Sequence, residues 1–536
     1  MDQEQREFLF QVEHHGLVLG KHGFSRITKA VCQTDADGLR QLLASDFTGQ
    51  VLHQPKEVRL TNDFVQASRQ QDAGHGLDSI KADALVDRLL EYRKIFGKPP
   101  KGQLSLMGLS PMVREKLDGI WEGTALMRLW GESAKGGPAE VILHVQYRIS
   151  RPTEENLTRP GWLHALAILQ SQTAQSPRFL MREAAAEHGL DSKRMHDNWT
   201  FKQKYGITGG VYLCDYNRDG YLDLLITDVH RYALYQGTAG GKFEDVTKQV
   251  GLPNRPDHFS PLANLAAFVD LDGDGWEDLI LGGRVYRNDG GQRFVDVTEQ
   301  TNLRLSETST GIAVADFDRD GRVDLYVTRL GKARGDSWLL GKSANANSNQ
   351  LWRNLGGWQF EEVAVARGAA APDLSTFTAA WLDVNNDGWP DLYVINEFGN
   401  GVLLVNQGDG TFQEKKLDGP GDWGSMGIAT GDIDNDGNID FYVANMYSKA
   451  GNRVIGNVKP GTYPEPIISK IRQYVAGSQL YYNKGGLSFE PVGKALQVAD
   501  VGWSHGAVLT DLDNDGWLDL FSTAGYMSLS RDEPVG

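Results

Sequence analysis

Residues Asp511–Leu520 read DLDNDGWLDL. Aspartate stands at positions 1, 3, 5 and 9 of this stretch and glycine at position 6. Carboxylates this close repel one another unless a cation lies among them. The pattern occurs six times: DYNRDGYLDL from Asp215, DLDGDGWEDL from Asp270, DFDRDGRVDL from Asp316, DVNNDGWPDL from Asp383, DIDNDGNIDF from Asp432, and the stretch above. The shared form is D-x-[DN]-x-D-G-x-x-D-[LF]. Glycine at position 6 lets the chain fold back with positive φ.

Hard oxygen ligands on a short loop suit Ca²⁺, which takes ~6–8 of them, better than Mg²⁺, which keeps its waters. Side chains at positions 1, 3, 5 and 9 are the candidate ligands, with the backbone carbonyl of position 7. In the first loop these are Asp215, Asn217, Asp219, Tyr221 and Asp223; in the second, Asp270, Asp272, Asp274, Trp276 and Asp278. The third offers Asp316, Asp318, Asp320, Arg322 and Asp324; the fourth, Asp383, Asn385, Asp387, Trp389 and Asp391. The fifth offers Asp432, Asp434, Asp436, Asn438 and Asp440; the sixth, Asp511, Asp513, Asp515, Trp517 and Asp519. The first nine positions look like an EF-hand, but its bidentate Glu at position 12 is missing. The chain continues instead as DLYVT or DLLIT, β-branched and apolar, which reads as a strand.

The expectation is about six structural Ca²⁺ ions. They would cancel most of the formal charge of −16. That charge still disfavours nucleic acid as a partner. The chain has 536 residues, 40% apolar and 23% charged, which implies a soluble fold of more than one domain. Its 62 glycines imply many tight turns between short strands. Cys32 and Cys214 make no disulfide framework. No window approaches ~18 uninterrupted apolar residues, so no membrane span is expected. The first 25 residues are too polar for a signal peptide.

Each motif sits in a longer unit. The second runs NLAAFVD, the loop, DLILGG, RVYRN, a DGGQ turn and RFVDVT. Four short antiparallel strands with a Gly-rich turn describe a propeller blade. These units resemble the FG-GAP or VCBS repeat, a calcium-loop blade also found in integrin α-subunit heads. GWSHGAVLTDLDNDGWLDLFSTAGY and MYSKAGNRV are similar to the cartilage-acidic-protein/ASPIC-UnbV type. The resemblance covers residues 178–536 and implies an extracellular calcium-binding propeller, seven-bladed in most such proteins and often without known activity. Only six motifs occur here, so six or seven blades are expected. The segment RFLMREAAAEHGL (178–190) resembles a fourth strand and its turn, placed to close the ring against the last blade. Calcium sites of the extracellular kind bind at ~10⁻⁴–10⁻³ M, which points to a secreted, periplasmic or cell-surface protein.

The fold class expected is mainly β, with an α+β domain over residues 1–175 and the propeller over 176–536. Two basic insertions come after second strands, at 328–350 and 446–479. Such connections emerge on the face opposite the calcium loops, where elaborated loops carry function. Arg329, Arg334, Trp338, Tyr447, Lys449 and Arg453 are the candidate ligand face for a protein or glycan partner, an anionic glycan among the options. In the first third, residues 25–49 read as one helix and 78–95 as another. ALMRLWGES, AEVILHVQYRIS and WLHALAILQSQTAQ read as long strands. Helices leading into a curved antiparallel sheet look like the SnoaL-like cone. His53, Asp63, His144 and His164 would line a pocket there if the chain is an enzyme; no nucleophile, P-loop or zinc-protease motif is present. The first reading is a calcium-stabilised binding or adhesion protein, and the alternative is an enzyme with structural calcium.

Overall fold

The computed structural model describes residues 3–524, apart from 115, 180, 192–194, 197–201, 203–208, 257–261, 332–347, 373, 418–421 and 447–448, and gives only the backbone of 398, 449, 450 and 524. The chain forms two compact units, residues 1–183 with 449–464, and residues 184–448 with 465–536. Among the described residues no helix is long and apolar enough to cross a membrane.

The N-terminal unit opens with α1 (Gln3–Val18), which passes through a π-helical turn into α2 (Ser25–Gln33). The single helix expected over 25–49 does not form. Thr34 takes a left-handed φ of 59°, and Asp35 caps a new helix, α3 (Ala36–Leu42), by accepting the Gly38 N–H at 2.8 Å. The chain then enters β1 (Leu43–Leu52), β2 (Lys56–Thr61), β3 (Gln66–Gln71) and β4 (Leu77–Ile80) in turn. Next come α4 (Ala82–Arg93), β5 (Lys101–Pro111), β6 (Trp121–Glu132), β7 (Pro138–Ile149), α5 (Glu154–Thr158) and β8 (Leu163–Gln175). One sheet runs β2-β3-β8-β7-β6-β5, with β1 parallel to β8 and antiparallel to β4. Along β7, Val141, Leu143, Val145, Tyr147 and Ile149 are buried while the residues between them face outward, as a half-covered sheet requires. These side chains and those of α1, α2 and α4 form one apolar cluster from Val12 to Ile168.

Residues 449–464, which the sequence places in a propeller insertion, belong to this unit. Their helix, Lys449–Gly456, carries Arg453 onto Glu13 of α1, with Nε 2.9 Å from Oε1. Asn457 donates to the Leu109 carbonyl of β5 at 2.9 Å.

Among the described residues the second unit contains five four-stranded antiparallel meanders, a final strand pair and a helix, Glu465–Tyr474. The five begin at Gly209, Ala266, Ser309, Ser375 and Ser425 and end at Asp245, Asp296, Glu362, Lys415 and Pro491. Ser504–Thr510 pairs with Asp519–Ala524. The apolar clusters lie between consecutive sheets: Leu225 and Leu234 with Leu279 and Phe294, then Val269 and Ile280 with Leu325 and Phe360, and so on along the chain. First strands of consecutive sheets are neighbours. This is a propeller-like arrangement, in which no sheet buries both faces without the next.

Among the described residues five complete sheets stand where six or seven blades are expected. Among the described residues the sixth motif has its first two strands only. The 178–190 segment is not a strand where it is described. Residues 185–189 form turns, and the His188 carbonyl accepts the Phe243 N–H of the first sheet at 2.8 Å. Val250 accepts from Phe294 of the second sheet in the same way, at 2.7 Å. The segment is thus seated as the turn preceding a sheet.

Candidate metal centres

Each aspartate motif connects the first strand of a sheet to its second, and the position-9 aspartate is the first residue of that second strand. The same bonds shape all six loops. The position-1 carboxylate accepts the Gly N–H of position 6: Asp215 from Gly220, Asp270 from Gly275, Asp316 from Gly321, Asp383 from Gly388, Asp432 from Gly437 and Asp511 from Gly516, at 2.8–3.0 Å. The position-5 carboxylate accepts the N–H of position 7, at 2.8–3.0 Å, from Tyr221 through Trp517. The loop glycines have φ of 81–93°, and a Cβ on Gly220, Gly321, Gly437 or Gly516 would meet nothing within 4 Å. Backbone conformation, not crowding, therefore demands glycine at those four.

Position 4 is also left-handed, at Arg218, Gly273, Arg319, Asn386, Asn435 and Asn514. The sequence does not announce this, because the residue type varies there. The three asparagines and one glycine are its only signal.

The position-9 aspartates Asp223, Asp278, Asp324, Asp391 and Asp440 are buried. One oxygen of each accepts the N–H of position 2 in its own loop. The other accepts an N–H from the third strand, of Gly237, Asn288, Asn354, Asn406 and Asn483 in turn, at 2.7–2.9 Å. Burial pushes Asp278 and Asp324 up to about 7 and Asp223 and Asp391 up to about 6, against the pull of the two backbone donors. A neighbouring cation is what would hold such carboxylates ionised at neutral pH.

The third-strand asparagines add a second tie. The side-chain amide of Asn288 donates to the Tyr216 carbonyl, Asn354 to Leu271, Asn406 to Phe317 and Asn483 to Val384, at 2.8–2.9 Å. Each acceptor is position 2 of the loop one repeat earlier. These asparagines stand in plain view in RVYRN and QLYYN, but a short polar residue ending a strand reads as turn chemistry, not as a staple. Loops also touch directly. The Arg218 guanidinium lies 4.8 Å over the Trp276 ring of the next loop, and Arg319 lies 5.3 Å over Trp389.

Four loops bring three carboxylate oxygens within 4.8 Å of one another: Asp270, Asp272 and Asp278; Asp316, Asp318 and Asp320; Asp432, Asp434 and Asp440; Asp511, Asp513 and Asp519. In the first and fourth loops Asn217 and Asn385 occupy position 3 and donate to Asp219 and Asp387. At Asp318, Asp434 and Asp513, all at position 3, Oδ1 is buried with no hydrogen-bond partner among the described residues. A buried carboxylate oxygen left unpaired is costly. An oxygen-seeking cation in the loop supplies the partner, so the residues fit a calcium ion. Basic side chains meet the other oxygens: Arg353 Nε is 2.6 Å from Asp318 Oδ2, and Lys484 Nζ is 3.2 Å from Asp434 Oδ2.

The candidate ligand face is divided. Arg329 ends a second strand half-buried, its N–H donating to Asn349 at 3.0 Å. Arg334, Trp338 and Tyr447 lie outside the described residues, as does the side chain of Lys449. Arg453 does not face a ligand, because its side chain is 10% exposed and spent on Glu13.

The four residues expected to line an N-terminal pocket have separate surroundings. His53 pairs with Asp78 at 2.9 Å, Asp63 is exposed, and His144 is on the outward face of β7. His164 is hydrogen-bonded through Nδ1 to Asp46 at 2.7 Å and through Nε2 to Ser150 at 3.0 Å. That connectivity matches nucleophile, base and orienting acid. Asp46, however, is 70% exposed, and water screens the charge that would have to polarise the imidazole. The trio acts as a clasp joining β1, β8 and the end of β7.

The FG-GAP-like repeat family matches residues 215–281, 270–327 and 383–443, so the chain carries FG-GAP-like repeats. Cartilage acidic protein 1 of Homo sapiens is 23% identical over 359 residues, covering 62% of this chain and 50% of that protein. The Mus musculus protein of the same name is 22% identical over 357 residues, covering 62% and 51%. The chain spans about half the length of the curated relatives it matches. An Agrocybe aegerita lectin structure, described as recognising non-reducing terminal N-acetylglucosamine, aligns at 14% identity and a TM-score of 0.33, covering 82% of this chain and 89% of that one.

Proposed function

We propose that the chain is an extracellular, calcium-stabilised propeller that serves as an interaction or adhesion module for a protein or glycan partner. The observation that carries this reading is the unpaired inward oxygen of Asp318, Asp434 and Asp513, repeated at one position of three loops. The repeat family and the weak similarity to cartilage acidic protein 1 support the same direction. Calcium in this reading is structural: it neutralises each loop and fixes the junction between first and second strands. The N-terminal unit is read as a SnoaL-like domain, supported by its helices over one face of a single sheet. Arg329, Arg334, Trp338 and Tyr447 remain the proposed ligand face, without Arg453.

Calorimetric titration of calcium into EDTA-stripped, dialysed protein tests the metal. About six ions should bind, at the ~10⁻⁴–10⁻³ M typical of extracellular modules. The loops with Asn217 and Asn385 should fill last, because they offer one charge fewer. No calcium uptake at millimolar concentration would overturn the reading.

A further inference from the structure

One cavity of the propeller unit lies away from the calcium loops. Its volume is about 670 Å³. It opens beside the turn between the second and third strands of the first sheet and the connection that leads to the second sheet. That end of the blade is opposite the end bearing the loops, because the loops join first strands to second. A smaller cavity of about 170 Å³ adjoins it, sharing Tyr232 and Arg255 and reaching Gly282 and Arg284 of the second sheet.

The lining is polar and cationic in a chain of net charge −16. Arg231 is tethered by Asp245, with Nη2 2.6 Å from Oδ2. The other oxygen of Asp245 is taken by the N–H and hydroxyl of Thr247. A guanidinium offers five N–H donors, and Nε of Arg231 is buried with no partner among the described residues. Lys248 and Arg255 are exposed and lie at the cavity without an ion pair to any described residue. Among the described lining residues Asp245 neutralises Arg231, so Lys248 and Arg255 leave an excess of two positive charges. A cleft of one sign focuses its field on a ligand of the other.

Size and lining narrow the ligand. Binding cavities for organic ligands run to about 300–1,000 Å³, so this one exceeds the need of a bare inorganic anion. Gln249 and Asn254 offer donors and acceptors side by side, which suits hydroxyl groups. The Tyr232 ring is buried and offers no apolar platform. We propose that this cavity binds an acidic saccharide, its carboxylate held by Lys248 and Arg255 and its hydroxyls met by Gln249 and Asn254. The inference deepens the interaction-module reading and stands apart from calcium.

The test is calorimetry on the full chain with calcium present. The probe is β-1,4-linked triglucuronate. Cellotriose, which replaces each carboxylate by a hydroxymethyl group, is the neutral counterpart. Triglucuronate should bind, cellotriose should bind at least about tenfold more weakly, and Lys248→Ala with Arg255→Ala should cost about tenfold or more. Both residues are exposed, so the variant should keep the parent melting curve. Equal binding of the two sugars, unchanged affinity in the variant, or no binding by the parent overturns the proposal. Inorganic sulfate binding as tightly as the trimer overturns the saccharide assignment. Melts of the same samples with and without EDTA score the calcium reading separately, so either can fail alone.

Discussion

The two units of the chain are stabilised in contrasting ways. The N-terminal unit has one sheet under its helices and one apolar cluster, and its buried faces need nothing but one another. The propeller unit divides its apolar burial into clusters between consecutive sheets, each cluster small, and each sheet is pinned at one end by an acidic loop. A single large core tolerates the loss of any one polar contact. A series of small cores depends on the polar ties at its joints, and here those ties are carboxylates that repel until something neutralises them.

The sharpest way to break this contrast is to chelate divalent cations. EDTA should lower the stability of the propeller unit and leave the N-terminal unit near its starting point, read by hydrogen exchange with peptides assigned to each unit. The expected loss is about 2.7 kcal/mol for each site that was held at a hundredfold over its dissociation constant. Equal loosening of both units would dissolve the distinction.

A smaller blow falls on one joint. Asn354→Ala unpairs the Leu271 carbonyl of the preceding loop and the Val323 carbonyl of its own, at 2.9 and 3.2 Å in the parent. Leaving these groups unpaired should cost about 2–3 kcal/mol. Faster exchange should appear in loop 270–278 as well as in the strand that carries the substitution. If only the mutated strand loosens, the staple is not a joint.

On the other side of the contrast, Arg453→Ala should cost the N-terminal unit about 2 kcal/mol, since a charge-assisted bond to a half-buried carboxylate is lost. The exchange of α1 reports it. An effect confined to the propeller would contradict the membership of residues 449–464 in the N-terminal unit.

Acid gives the mildest probe. Burial lowers His15 below its ordinary 6.5, with Arg151 nearby and the Pro152 carbonyl pulling the other way. The unfolded chain then binds the extra proton more readily as pH falls below 6.5, so the N-terminal unit should lose stability on acidification and regain it as pH rises. His15→Gln should flatten that slope in denaturant titrations from pH 7 to 5. An identical slope in the variant would assign it elsewhere.

Legibility in the sequence divides along the same line. The loops can be read because six copies in register separate ligand positions from filler, and the strand after each glycine is marked by β-branched residues. The N-terminal unit offers no repeat. Its helix over 25–49 looks continuous, because one left-handed residue, Thr34, leaves no pattern in composition. The partnership of Arg453 with Glu13 spans 440 positions, and a basic stretch within an insertion looks like a solvated face until its partner is known. The staple asparagines are hidden for a related reason: their partners lie a full repeat upstream.

Those asparagines point one way along the chain, each reaching back to the loop made before it. During synthesis a loop therefore cannot be completed when it emerges. It waits for the following repeat to bring its asparagine out of the ribosome, so maturation runs one repeat behind translation, and a pause between two repeats would leave a single junction open to proteases.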